Sequence, residues 1–162
     1  MLDMGNLYNL KGKTAWVTGG RRIGQKVAEI LAQHGANLVL SYKNSKEEAE
    51  ITQKMVKKYK VKTLVIQADV SDRKNVINAV GKIKNKFNKI DILVLMASVF
   101  EKIPLESVRD SDLQKNFDVH VKGTIWPIME SLKIMPKGSH VITVTDRTSM
   151  GRMYTGYFPY II

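Results

Sequence analysis

Three places in this chain carry residue types whose spacing could do chemistry. One is a glycine-rich turn, Gly19-Gly20-Arg21-Arg22-Ile23-Gly24; another is an acidic turn, Ala68-Asp69-Val70-Ser71-Asp72; the third is the tail from Asp146, with Tyr154, Tyr157 and Tyr160. The first has the plainest chemistry. Paired glycines let the backbone turn sharply, and a helix that starts just behind them offers unpaired N–H groups and the positive end of its dipole, a place to hold a phosphate. A tight strand-to-helix turn also needs glycine for purely steric reasons, so the turn alone does not fix a ligand.

The elements that must position these residues follow from hydrophobic periodicity. Thr14 to Gly35 reads as strand, turn and helix: the apolar run Ala15-Trp16-Val17, then helical spacing through Ile23, Val27, Ile30 and Leu31, closed by His34 and a C-cap Gly35. Asn37 to Ser41 is a second short strand. Ser45 with Glu48 three residues on has the form of a capping box for a polar helix to about Tyr59. Val61 to Gln67 is a third strand, and Ser71 or Asp72 caps a helix with Val76, Ile77, Val80, Ile83 and Phe87 on one face. Ile90 to Met96 is apolar without alternation, which means burial on both faces and a parallel sheet between helix layers.

Ala97 to Pro104 reads as a loop, followed by a long helix from Ser107 or Ser111 to Ile134, kinked at Pro127. Pro136 and Gly138 stop it, His140 to Thr145 is a fifth strand, and the Gly-, Tyr- and Met-rich tail reads as a loop. Strand and helix alternate throughout. The expected fold is a doubly wound α/β sheet of Rossmann type, a single domain over residues 1–162, with ligands beyond the carboxyl ends of the strands.

Composition narrows the function classes. With 44% hydrophobic and 25% charged residues the chain is an ordinary globular one. It has no cysteine, which removes disulfides and thiolate metal sites and fits a reducing cytoplasm. The longest apolar stretch, Ile92 to Phe100, is too short to span a bilayer, and Met1 to Lys13 lacks the pattern of a cleaved leader. The net charge of +11 raises nucleic acid as a partner, but the lysines are dispersed among core positions on helix faces and show no zinc-finger spacing, basic zipper or aromatic-basic repeat. An anionic small ligand needs no further assumption. No nucleic acid, no membrane and no metal are expected.

The order of motifs resembles the short-chain dehydrogenase/reductases over nearly the whole chain. The resemblance rests on Thr18-Gly19-Gly20-Arg21-Arg22-Ile23-Gly24, on Ala68-Asp69-Val70, on Leu93-Val94-Leu95-Met96-Ala97-Ser98, and on the fifth strand followed by Gly156-Tyr157-Phe158-Pro159-Tyr160. Within that family the chain is most similar to pteridine and dihydromonapterin reductases. Arg22 stands at the middle glycine, Ser98-Val99-Phe100 follows the fourth strand, and Asp146 replaces the usual catalytic Ser.

The resemblance implies NADP(H), a homo-oligomer (dimer or tetramer), and a pteridine-like substrate. Gly19, Gly20, Arg21, Arg22, Ile23, Gly24, Val70, Ala97 and Ser98 would hold the cofactor, with Asp69 at the adenine amino group. The residues agree on the cofactor. Where an acidic side chain would select NAD, the second strand ends in Ser41-Tyr42-Lys43-Asn44-Ser45, and Lys43 with Arg21 and Arg22 suits a 2′-phosphate. A turn of solvated cations is the plainer account of the same residues, as an Asx-type cap is of Asp69.

By the same resemblance Tyr160 is the proton donor, Asp146 its partner, His120 stands at the relay Asn, and Phe100 stacks on the substrate ring with Ser98 beside it. A tyrosine works near neutrality only when a cation lowers its pKa, and the family uses a Lys four residues on. Phe100 as core and Asp146 as a turn residue remain open. The glycine turn is one residue shorter than the family's, Leu95-Met96 replaces Asn-Asn, and the position of the Lys falls beyond Ile162. The expectation is therefore a portion of a longer reductase, its fifth strand an exposed edge and Tyr160 unable to sit on a helix. A 3-oxoacyl thioester or other carbonyl reductase, and a nucleotide-binding module without catalysis, are the alternatives.

Overall fold

Trp16 organises the sheet. In the first strand, β1 (Thr14–Thr18), side chains alternate: Ala15 and Val17 face one helix layer and Trp16 the other, and all five residues are buried. The computed structural model describes residues 8–147, 151 and 154–161. Four further strands, β2 (Asn37–Tyr42), β3 (Thr63–Gln67), β4 (Ile92–Leu95) and β5 (His140–Thr143), join β1 in one parallel sheet of order β3-β2-β1-β4-β5. That order places β1 and β4 together at the centre, where chain connections reverse direction.

One layer is made by α1 (Ile23–Gln33) and α2 (Lys46–Val56), which bury Ala28, Ala32 and Val56 against Ala15, Val17, Leu38 and Leu40. Small residues four apart on α1 let that helix lie close to the strands. On the other face α3 (Arg73–Phe87) places Val76, Ala79, Val80 and Ile83 against Trp16, Val39, Ile66 and Leu93. The Trp16 indole N–H, buried, donates to Ser41 Oγ at 2.9 Å, so its burial leaves no orphan donor. At the strands' amino ends, away from the glycine turn, the buried Asp91 accepts from Thr14 N at 2.8 Å and pairs with Lys13 and Lys89.

The long helix is divided. It comprises α4 (Asp110–Phe117), a π-helical segment Asp118–Lys122, α5 (Gly123–Ser131) and a 3₁₀ turn Leu132–Ile134. The interruption therefore lies at 118–122 and not at Pro127, which is buried inside α5. Gly123 explains why the helix can follow that course: a Cβ there would meet Val70 Cγ2 at 2.8 Å. Buried Glu130 on α5 takes Arg73 of α3 at 2.8 Å and also pairs with Lys133, locking the two helices together.

Two further expectations are corrected, and of the two caps offered for α3 the structure selects one. Ser45 makes no side-chain cap; its expected partner Glu48 instead pairs with Arg21 at 2.8 Å, an ionic partner outcompeting a local one. The cap of α3 is Asp72, which accepts from Lys74 N at 2.8 Å, while Asp69 closes its own turn on Ser71. In the tail, Phe158–Ile161 forms a short helix, α6, that carries Tyr160 and packs on α4. The edge position of β5 is as expected: all four of its residues are exposed.

Candidate functional site

The carboxyl ends of β1, β4 and β5 open onto a cleft of about 970 Å³. Of the expected site residues it gathers Gly19, Arg21, Arg22, Ile23, Gly24, Ala97, Ser98, Phe100, His120, Asp146 and Tyr160. Residues drawn from the glycine turn, from the turn after β4, from the π segment, from the end of β5 and from α6 thus share one space.

Its first wall is backbone. Gly19 has a φ of 78°, and a Cβ on it would meet Met96 O at 2.6 Å; a Cβ on Gly24 would meet Gly19 O at 2.1 Å. No side chain fits either position. Gly20 is different, since a Cβ there would meet nothing within 4 Å, which leaves space beside the start of α1. Arg22 takes a φ of 48° without being glycine, a strained conformation held by its surroundings. Thr18 Oγ1 accepts from Met96 N at 3.1 Å and Ala97 N at 3.3 Å, tying the glycine turn to the turn after β4. Ile23 lies 67% exposed on this wall, an apolar side chain facing the cleft.

The second wall is aromatic. Phe100 stacks on Tyr157 with ring centroids 4.2 Å apart and meets Tyr160 edge-on at 4.8 Å. Phe100 is half exposed and so is not core, and one of its faces is already taken by Tyr157. Tyr160 Oη donates to Asp146 Oδ2 at 3.0 Å, with Tyr154 on the same carboxylate at 3.4 Å. Burial, and then the negative charge of Asp146, push the Tyr160 phenol up to about 12. The expected lowering of this group by a cation is absent among the described residues, and the site holds Tyr160 protonated.

His120 joins the walls. Its ring lies edge-on to Tyr160 at 5.3 Å, and its Nε2 stands 3.0 Å from Ser98 Oγ and accepts from Val99 N at 3.3 Å. Burial lowers its pKa from the usual value.

Cations expected at a cofactor phosphate are present but engaged. Lys43 pairs with Asp69 at 2.5 Å and Arg21 with Glu48 at 2.8 Å. Burial, the largest single influence, raises the Asp69 carboxyl, but Lys43 and the Ser71 hydroxyl and N–H together hold it below the ordinary range. Lys43 also lines a second, smaller cavity of about 300 Å³ with Ser71, Gln114, Asp118 and Val119. Gly20, Tyr42, Asn44, Ser45, Asp69 and Val70 do not line the large cleft. Among the described residues no cluster of three His, Asp or Glu side chains is placed to hold a metal, and no helix is long and apolar enough to cross a membrane.

Sequence reasoning named His120 but missed the rest of the stripe it belongs to. Leu113, Asn116, Phe117, His120, Val121 and Thr124 all line the cleft, at the three- and four-residue spacing of one helix face. Asn116 is buried, and its Oδ1 has no hydrogen-bond partner among the described residues, an acceptor with capacity for a ligand donor. The spacing was visible, but it is the same one that marks a core stripe.

Comparison with known proteins agrees with this fold. A family profile described as "Enoyl-(Acyl carrier protein) reductase" matches residues 18–160. The "Uncharacterized oxidoreductase YhxC" of Bacillus subtilis (strain 168) is 34% identical over 142 residues, 86% of this chain and 50% of that one. Among solved structures, a dehydrogenase/reductase from Sinorhizobium meliloti 1021 superposes with a TM-score of 0.92 at 27% identity, covering 99% of this chain and 64% of its own. A short chain dehydrogenase from Burkholderia cenocepacia J2315 in complex with NADP gives 0.89 at 28% identity, covering 94% and 63%. The chain spans about half the length of the curated relatives it matches.

Proposed function

The chain belongs to the short-chain dehydrogenase/reductase family, and from that premise we propose that it serves as an NADPH-dependent reductase of a flat, conjugated, pteridine-like ring. The observation that carries this is the large cleft at the reversal of the sheet, which joins a side-chain-free turn to a protonated tyrosine and an aromatic wall. The cofactor fits the residues present: Gly19 and Gly24 clear the turn, Gly20 leaves space beside the start of α1, and Arg21 and Lys43 supply charge for phosphate. When bound, NADPH supplies a hydride.

The chain's own residues supply the rest. Ile23 and Phe100 remove apolar ring surface from water, Ser98 and Asp146 offer hydrogen bonds to ring substituents, and Tyr160 Oη holds the proton to be delivered. Asp146 accepts from Tyr160 Oη and so fixes its direction. The complex of the Burkholderia protein with NADP supports the choice of cofactor. The same reading includes a homo-oligomer acting in the cytoplasm without nucleic acid or membrane. Ile125, Met129 and Leu132, exposed in a row along α5 and the turn after it, support a contact between subunits.

The test is NADPH oxidation followed at its absorbance band with dihydrobiopterin, a 3-oxoacyl thioester and an enoyl thioester offered in parallel. Turnover of the pterin is expected. Turnover of a thioester alone would move the assignment to a carbonyl or enoyl reductase, and NADPH binding without any turnover would leave a nucleotide-binding module.

A further inference from the structure

His120 makes an arrangement that only one protonation state allows. The Val99 N–H is a backbone donor and can do nothing but donate, so the Nε2 that receives it at 3.3 Å must present a lone pair. The ring is then neutral with its proton on Nδ1, and the Ser98 hydroxyl, 3.0 Å from the same Nε2, is the second donor. A doubly protonated imidazolium has no acceptor. It would set an N–H against the Val99 N–H and leave that amide unpaired.

What the contact holds is the wall of the cleft. Val99 immediately precedes Phe100, whose ring stacks on Tyr157 and abuts Tyr160, while His120 sits on the π segment between α4 and α5. No other side-chain hydrogen bond among the described residues ties Ser98 or Val99 to that helix. We propose that His120 is a positioning residue that works as a proton-controlled latch: its unprotonated Nε2 fixes the Ser98–Phe100 turn against the helix, and protonation releases the turn and weakens ligand binding in the cleft.

The charged and titratable neighbours do not supply an alternative switch in the same range. From α6, Tyr160 faces the imidazole and stays protonated, its carboxylate partner Asp146 lying behind it. On the π segment itself Asp118 is paired with Lys122 at 2.6 Å, which holds its carboxyl low. Beyond Phe100, Glu101 is paired with Lys115 at 2.6 Å. Burial disfavours the imidazolium, so the latch is closed near neutrality and opens only as the pH falls below the ordinary imidazole range of about 6.5.

The experiment is a nitrogen-15 NMR titration of the full chain, free of ligand, reading the Val99 amide and the His120 ring nitrogens. Both signals are expected to move together with one midpoint below that of an exposed histidine. His120→Asn, whose carboxamide oxygen accepts at every pH, should keep the closed Val99 position without a titration; His120→Phe should show the open position throughout. A Val99 amide that ignores the His120 titration, or that titrates unchanged in His120→Asn, overturns the latch. Binding of NADPH and of dihydrobiopterin is then compared at both ends of the titration. A drop of roughly threefold or more in the parent protein, absent from His120→Asn, is expected, and equal loss in both overturns the coupling. The proposal rests on the cleft being the ligand site. A Val99 titration with no ligand bound at any pH would sink that reading of function while leaving the latch itself standing.

Discussion

The two walls of the cleft are built by opposite means. The glycine-turn wall is backbone fixed by contact, with Gly19 and Gly24 approaching carbonyl oxygens so closely that no Cβ fits. The opposite wall is side chain: Phe100, Tyr154, Tyr157 and Tyr160 rest on one another and on Asp146, and Phe100 is half exposed. A wall of the first kind tolerates no side chain at Gly19 or Gly24. A wall of the second kind can be altered residue by residue, and it is where the proposed function puts substrate recognition and the proton donor.

The sharpest way to break this contrast is at its chemical end. Tyr160→Phe keeps the ring contacts with Phe100 and His120 and removes only the hydroxyl that donates to Asp146. Turnover should fall by roughly 10²- to 10⁴-fold, the range for loss of a positioned proton donor, while NADPH affinity measured by fluorescence is unchanged. Unaltered turnover would remove Tyr160 from the reaction.

At the other wall, Gly24→Ala puts a methyl 2.1 Å from Gly19 O, so the turn must move. A loss of about 3 kcal/mol in denaturant unfolding, with cofactor binding lost as well, is the overpacking outcome. Gly20→Ala is the control, because the space beside Gly20 is empty without ligand. It should fold normally and weaken only NADPH.

Smaller effects are expected from single contacts. Phe100→Ala removes one stacked and two edge-on partners. The pterin KM should rise about tenfold, an aromatic contact contributing about 1 kcal/mol beyond its area, with NADPH affinity held. If both ligands weaken equally, the walls are not separate. Smallest of all is Glu48→Gln, which frees Arg21 from an exposed ion pair contributing ~0.2–1 kcal/mol. NADPH affinity should rise by about fivefold at most, with NADH unaffected, by the same bound on the pair.

Much of the scaffold was legible in the chain. Five strands were found because each is a short run rich in apolar residues between turn and helix signals, β5 included although its four residues are exposed, and the strand boundaries shifted by only a residue or a few. The break at Asp118–Lys122 was not legible, since it arises where Gly123 meets Val70 from another element and not from a local helix breaker such as Pro127. Nor was the switch of Glu48 from a local cap to Arg21, because an ion pair between two elements has no trace in the spacing of either.

The sequence by itself determined the alternation of strands and helices, the glycine turn and the residue types that meet at the strand ends, because local sterics and hydrophobic periodicity act over a few residues. The tertiary structure alone decided what those residues touch. It brought Asp146, Tyr160, Phe100 and His120 together from separate elements, gave the Phe100 ring to Tyr157, and set His120 Nε2 on a backbone donor. Contacts between distant elements depend on how helices pack across the sheet, and no local spacing encodes that distance.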